Sequence, residues 1–266
     1  MKVDGTKKLI AVFLSFSFGL PLVCVLLTKN FVMFNSGCFH FILYGVEAMT
    51  PSIAAIITTM IFTRSSGIKS LFKKCYCENI KVGYWGLALI LPITVLFITK
   101  LSVLLFIDVS FIKIITPMQI VIILWALIAE ELGWRGFLQN ELNKYFGYIT
   151  TPIILGIIWS LWHYHFILAG VFSAPMILFM IGCIADSFAY FWITKKSDGN
   201  IIPASIWHFT GNLFFNLFMI NPEYNQGSII PYLLFVIYSS IMAVGMSIWG
   251  VLTTKQKNRI SYRRRQ

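Results

Sequence analysis

Apolar residues gather into eight long blocks along this chain, and the polar residues fall between the blocks instead of alternating with them. A half-buried strand would alternate every second residue, and a soluble helix would carry a one-sided stripe. Unbroken apolar runs are what a lipid-spanning helix needs, roughly 20 residues each. The blocks lie at about 9–28, 39–62, 84–107, 117–139, 151–170, 174–194, 201–219 and 230–252. Turn chemistry separates them at Asn35-Ser36-Gly37, Arg64-Ser65-Ser66-Gly67, Ser197-Asp198-Gly199-Asn200 and Asn221-Pro222. Pro152, Pro175 and Pro203 fall near block starts, where a missing N–H costs little. Pro51 and Pro92 fall inside blocks and predict kinks. The pattern predicts an all-α polytopic membrane protein of about eight transmembrane helices, residues 1–266 forming one domain without internal repeats.

Composition agrees: 58% of the residues are hydrophobic and only 12% charged, about half the charged share of a soluble domain. The net charge of +11 points away from nucleic acid as a partner, because the basic residues sit between apolar blocks and not on a folded soluble module. Their placement sets orientation instead. With the N-terminus inside, all but Lys29, Lys100, Lys113 and Arg135 of the 21 Lys and Arg residues fall in the inner segments. The positive-inside rule then predicts a multi-pass protein of the cell membrane with both termini cytoplasmic. The basic tail, 253–266, reads as a topology anchor, with contact to anionic lipid as the alternative. The stretch from Leu9 to Leu27 is longer than a signal-peptide core and lacks a small-x-small cleavage site, so it reads as an uncleaved span. Five cysteines, with Cys75 and Cys77 too close for a zinc knuckle, predict neither a disulfide framework nor a cysteine metal site.

Against this background Glu130-Glu131-Leu132-Gly133-Trp134-Arg135 stands out, since ionisable groups at membrane depth are costly and face partners or a water-filled cavity. Glu131 and Arg135 are four apart with the acid first, the better order for a helical ion pair. Glu130, about 100° further round, is left without a dedicated cation and is suited to act as a general base. Two further blocks carry polar groups: Trp159 and His163, four apart, then His208 and Asn212, also four apart. At ~1.5 Å per residue, Glu130 lies roughly 15 Å, His163 about 18 Å, and His208 and Asn212 about 10 and 17 Å from their cytoplasmic ends. Three helices thus bring polar groups to one layer and predict an intramembrane polar cavity nearer the cytoplasmic side. A base for water, an acid for the leaving amine and donors for an oxyanion are what amide hydrolysis requires.

These motifs resemble the CAAX protease and bacteriocin-processing (CPBP/Abi) family of intramembrane endopeptidases. Glu-Glu-x-x-x-Arg matches Glu130, Glu131 and Arg135; an aromatic four residues before histidine matches Trp159 and His163; His-x-x-x-Asn matches His208 and Asn212. The resemblance covers roughly 117–219 and implies an eight-helix protease in which Glu130 and His163 activate water. It further implies that His208 and Asn212 polarise the scissile carbonyl, with Glu131 and Arg135 supporting them. His163-Tyr164-His165 departs from the family, where a small or apolar residue and proline often follow the motif histidine. His165, not on the same face as His163, reads either as a support behind the site or as structural. The implied substrate is a peptide or protein, lipidated or not, in contact with membrane lipids.

Other readings stand beside this one. The carboxylates and Arg135 would also serve as a buried ion-pair network in a non-catalytic immunity or scaffold protein. Glu130, His163, His208 and Asp186 would serve as the relay of a proton-coupled transporter, although such proteins show repeated halves and this chain does not. Asp186 is expected to make a helix–helix hydrogen bond, with a substrate or proton-path role as the alternative. Glu47 either packs between helices or lines the cavity, and His40 lies near the outer interface. No cofactor is expected; the alternative is zinc held by Glu130, His163 and His208 with an open fourth position.

Overall fold

The computed structural model describes residues 3–34, 37–168 and 175–263, with side chains from Gly5 to Thr253. Helix α1 (Val3–Asn30) leads to α2 (Gly37–Phe72), which continues as a π-helical turn (Lys73–Cys77). Then come α3 (Val82–Val103) and α4 (Pro117–Ala129), followed by a π-helical run (Leu132–Leu138) and the short α5 (Gln139–Leu142). Helices α6 (Thr150–Trp162), α7 (Tyr164–Leu168), α8 (Met176–Lys196), α9 (Ile202–Leu217) and α10 (Ile230–Arg263) complete the bundle. Among the described residues there is no strand, and six helical stretches are long and apolar enough to cross a membrane. The protein is an all-α polytopic membrane protein.

Each apolar block becomes helical among the described residues, but three differ from the simple span. The fourth block is not one continuous helix: α4 has 13 residues and gives way to the π-helical run. The seventh, α9, has 16 residues, short of the roughly 20 that a hydrocarbon core requires. Irregular backbone at this depth is tolerated where protein sheathes it, and every residue from Ala129 to Gln139 is buried. The fifth block is interrupted at His163, which ends α6 before α7 begins. The expected limits at 170 and 174, and the tail side chains beyond Thr253, lie outside the described residues.

Local chemistry explains several boundaries. Thr116 caps α4: its hydroxyl accepts from the Gln119 N–H at 3.3 Å and the Gln119 side chain returns the bond to the Thr116 N–H at 3.0 Å. Pro117 then fits the first turn. The break in α2 falls at Arg64 (φ 58°, ψ −161°), not at Pro51, and it ends the second span at the turn signal. Pro51 instead lies where the π-helical run crosses α2. A Cβ at Gly133 would stand 2.3 Å from the Pro51 carbonyl, so only glycine allows that approach. Gly156 does the same for α6 and α8, where a Cβ would stand 2.5 Å from Ile184 Cα.

The bundle has two ends of different character. At one, Lys81 pairs with Asp198 at 2.6 Å, Asn200 donates to the Glu78 carbonyl at 2.8 Å, and the Ile201 N–H donates to the Cys75 carbonyl at 2.9 Å. The basic connections containing Lys73, Lys74, Lys144, Lys195 and Lys196 are here. At the other, the Lys113 N–H donates to the Leu217 carbonyl at 3.0 Å, its ammonium sits 3.7 Å from the Tyr224 ring centroid, and Ser102 bonds Tyr238 at 2.8 Å.

Candidate active site

The π-helical run turns two consecutive carboxylates into the bundle with different partners. Glu131 Oε1 accepts from Arg135 at 3.1 Å, the i,i+4 pair that the spacing predicts, and neither side chain is exposed. The same oxygen lies 2.9 Å from His208 Nδ1. One carboxylate therefore joins the π-helical run to α9. Arg135 is also stacked between two rings, its guanidinium carbon 4.4 Å from the Trp159 centroid and 4.1 Å from that of Tyr190.

Glu130 has no cation of its own, again as the spacing predicts. Its Oε2 accepts from two indole N–H groups, Trp134 at 3.2 Å and Trp159 at 2.8 Å. Its other oxygen lies 4.0 Å from His208 Nε2, too far for a direct hydrogen bond and close enough for one bridging water.

Each histidine has one nitrogen engaged. His163 Nδ1 lies 2.8 Å from the Trp159 carbonyl, which can only accept, so that nitrogen carries the hydrogen and Nε2 keeps its lone pair. The ring is packed by Trp162 at 4.9 Å and Phe179 at 5.1 Å between centroids. His208 turns Nδ1 to Glu131 and Nε2 towards Glu130. When it carries both protons it donates at each nitrogen.

Glu130, His163, His208 and Asn212 all line one cavity of about 800 Å³. Glu131 and Arg135 stand behind its wall. Asp186 lines the cavity too. His165 is buried, its Nδ1 2.6 Å from the Trp162 carbonyl and its ring against Phe166, a structural position. Glu47 is buried on α2 without lining the cavity, and His40 is exposed. Among the described residues no three His, Cys, Asp or Glu side chains are gathered as a metal-binding group.

Sequence reasoning missed three contributors. Trp134 lies four residues after Glu130, the same spacing that exposed the Glu131–Arg135 pair, and could have been found by it. Trp159 was recognised only as the aromatic partner of His163, whereas its indole also reaches Glu130. Tyr190, stacked on Arg135, carries no sequence signal.

Comparison with known proteins falls on this same part of the chain. Residues 112–214 match the family model described as type II CAAX prenyl endopeptidase Rce1-like. CAAX prenyl protease 2 of Methanococcus maripaludis is 30% identical over 111 residues, a stretch that covers 38% of this chain and 41% of that protein. The match thus spans less than half the length of the curated relative. The segment that brings Glu130, Glu131, Arg135, His163, His208 and Asn212 together is thus similar to the Rce1-like type II CAAX prenyl endopeptidases.

Proposed function

We propose that this protein is an intramembrane endopeptidase that hydrolyses a peptide bond with water activated by Glu130 and His163. The observation that carries the reading is the division of labour between adjacent carboxylates. Glu131 is occupied by Arg135 and His208, whereas Glu130 lines the cavity with an oxygen that makes no direct hydrogen bond, 4.0 Å and one water away from His208. Water held there would lose a proton to Glu130 as its oxygen bonds to the scissile carbonyl carbon. His163 Nε2, an acceptor, would orient the second hydrogen of that water. His208, donating through Nε2, and the Asn212 amide would hold the developing oxyanion. The proton then passes from Glu130 to the amide nitrogen as the C–N bond breaks, and both products leave with normal valence. Glu131 and Arg135 would fix the His208 ring.

The substrate in this reading is a peptide or protein segment, lipidated or not, cleaved at the depth of Glu130. The basic connections would face the cytoplasm and place both termini there, with the reactive layer nearer that side. No metal takes part in the scheme.

The test is purification in detergent followed by a fluorogenic peptide library, comparing wild type with Glu130→Ala. Turnover that disappears in the variant supports the reading. A variant as active as wild type overturns it.

A further inference from the structure

The cavity is not placed symmetrically in the bundle. Its floor is formed by Glu130, Trp159, Tyr190 and His208. From there its wall follows α9 through Asn212 and Asn216 to Glu223 and Tyr224, in the connection before α10. Along α4 it runs back from Ala129 to Gln119, and along α8 from Tyr190 to Phe179. All of these paths lead towards the end where Lys113 meets Leu217 and Tyr224. No described residue of the connections 64–81, 139–151 or 193–203 lines the cavity. Beyond the floor residues, on the same helical segments towards that basic end, lie the fully buried Leu138, Leu155, Ile193 and Ile201. The rim is exposed at Phe41, Val121 and Glu223, and the floor is buried.

From this asymmetry we propose that the substrate enters from the end opposite the basic connections, and is an apolar peptide segment held on the extracytoplasmic side of the membrane. The occupant rests on the endopeptidase reading; the direction of entry rests on the cavity and on the lysine and arginine distribution. Depth sets how much of the peptide goes in. From Gln119 to Glu130 the helix rises about 16 Å at ~1.5 Å per residue. An extended chain covers that in about five residues at ~3.3 Å each. The cut would therefore fall about five residues inside the segment that crosses the rim. The walls select the same kind of chain. Aromatic and aliphatic residues dominate them, and the formally charged side chains among them are the carboxylates Glu130, Asp186 and Glu223. Among the described residues no Lys or Arg lines the cavity, and Lys113 stands behind Tyr224 at the mouth and not at the floor, so an internal, neutral or cationic stretch fits the depth of the cavity best.

The test separates entry from catalysis. In a Cys38→Ser, Cys77→Ser, Cys183→Ala background, which removes the cysteine that lines the cavity and retains the buried Cys24 and Cys75, single cysteines are introduced at Glu223, Asn216 and Lys144. Intact cells are treated with a membrane-impermeant maleimide, with and without permeabilisation. Positions 223 and 216 should label in intact cells, and position 144 only after permeabilisation. Phe179→Cys repeats the cavity position should the 216 variant not accumulate. Labelling of both cavity positions only after permeabilisation overturns the proposal, and so does labelling at 223 with none at 216 or 179. A second arm supplies an impermeant quenched apolar peptide to right-side-out and inverted vesicles. Cleavage in right-side-out vesicles, lost in Glu130→Gln, supports the proposal; cleavage confined to inverted vesicles overturns it. Should detergent-solubilised protein cleave no peptide while labelling follows the expected pattern, the endopeptidase reading fails and the direction of entry stands.

Discussion

Replacing each of the two adjacent carboxylates by its amide should have opposite consequences. Glu131→Gln removes the charge that Arg135 meets at 3.1 Å and His208 at 2.9 Å, in a place where neither Glu131 nor Arg135 is exposed. Stranding one member of a buried pair costs about 3–5 kcal/mol. Arg135 keeps its stacking on Trp159 and Tyr190, which retains about 1–2 kcal/mol of cation–π attraction. The expected loss of stability is therefore about 3 kcal/mol, with activity falling as well because His208 loses its anchor. Glu130→Gln is different. The amide oxygen still accepts from the Trp134 and Trp159 indoles, so stability should change by less than about 1 kcal/mol. Without a base, however, turnover should fall by about 10²–10⁴. Thermal unfolding in detergent and single-turnover cleavage of a fluorogenic peptide read the two quantities separately. An unfolding temperature for Glu131→Gln equal to wild type would refute the buried-pair argument. Near-wild-type turnover in Glu130→Gln would end the general-base assignment.

Trp159→Phe deletes the 2.8 Å bond to Glu130 while keeping a ring for Arg135. Losing a bond to a charged acceptor, about 1.5–3 kcal/mol, should lower kcat by about ten- to a hundredfold with little change in KM, and a rise in KM alone would contradict that role. Gly156→Ala puts a Cβ 2.5 Å from Ile184 Cα and should destabilise the α6–α8 contact by about 1–3 kcal/mol, seen as a lower melting temperature; an unchanged melt would show that the helices separate freely. Protein purified through prolonged chelation should keep its activity and contain well under one zinc per chain. Inactivation by chelator, restored by zinc with stoichiometric uptake, would make Glu130 a ligand and replace the mechanism.

Much of the fold was legible because lipid imposes one-dimensional rules. The apolar blocks locate the long helices, and the four-residue spacing of Glu131 and Arg135 anticipates a bond at 3.1 Å. What hydropathy cannot register is backbone geometry. The change from α4 to the π-helical run falls at Glu130 and Glu131, whose polarity marks a site but not a change of winding, and the interruption at His163 falls within an aromatic stretch. Partners contributed across helices were also out of reach. Nothing in the local sequence of Tyr190 announces that it will stack on Arg135, because that contact depends on how α8 packs beside the π-helical run.

The π-helical run also makes the site sensitive to the number of residues as well as to their identity. Within Leu132–Leu138 the chain is wound with more residues per turn than an α-helix, and the Gln139 N–H still reaches back five positions to the Trp134 carbonyl. Deleting one residue here would let the segment settle into ordinary α-helical winding, a locally favourable change. Seven residues in the wider winding turn about as far as six in an α-helix, so the helix beyond would keep its phase while the side chains within the run change places relative to Glu130 and Glu131. Arg135 would leave its place between the two rings, and Asn140 its bond to the Gly136 carbonyl at 2.6 Å. The segment is a counted spacer: it should accept many apolar substitutions of similar volume and no change in length.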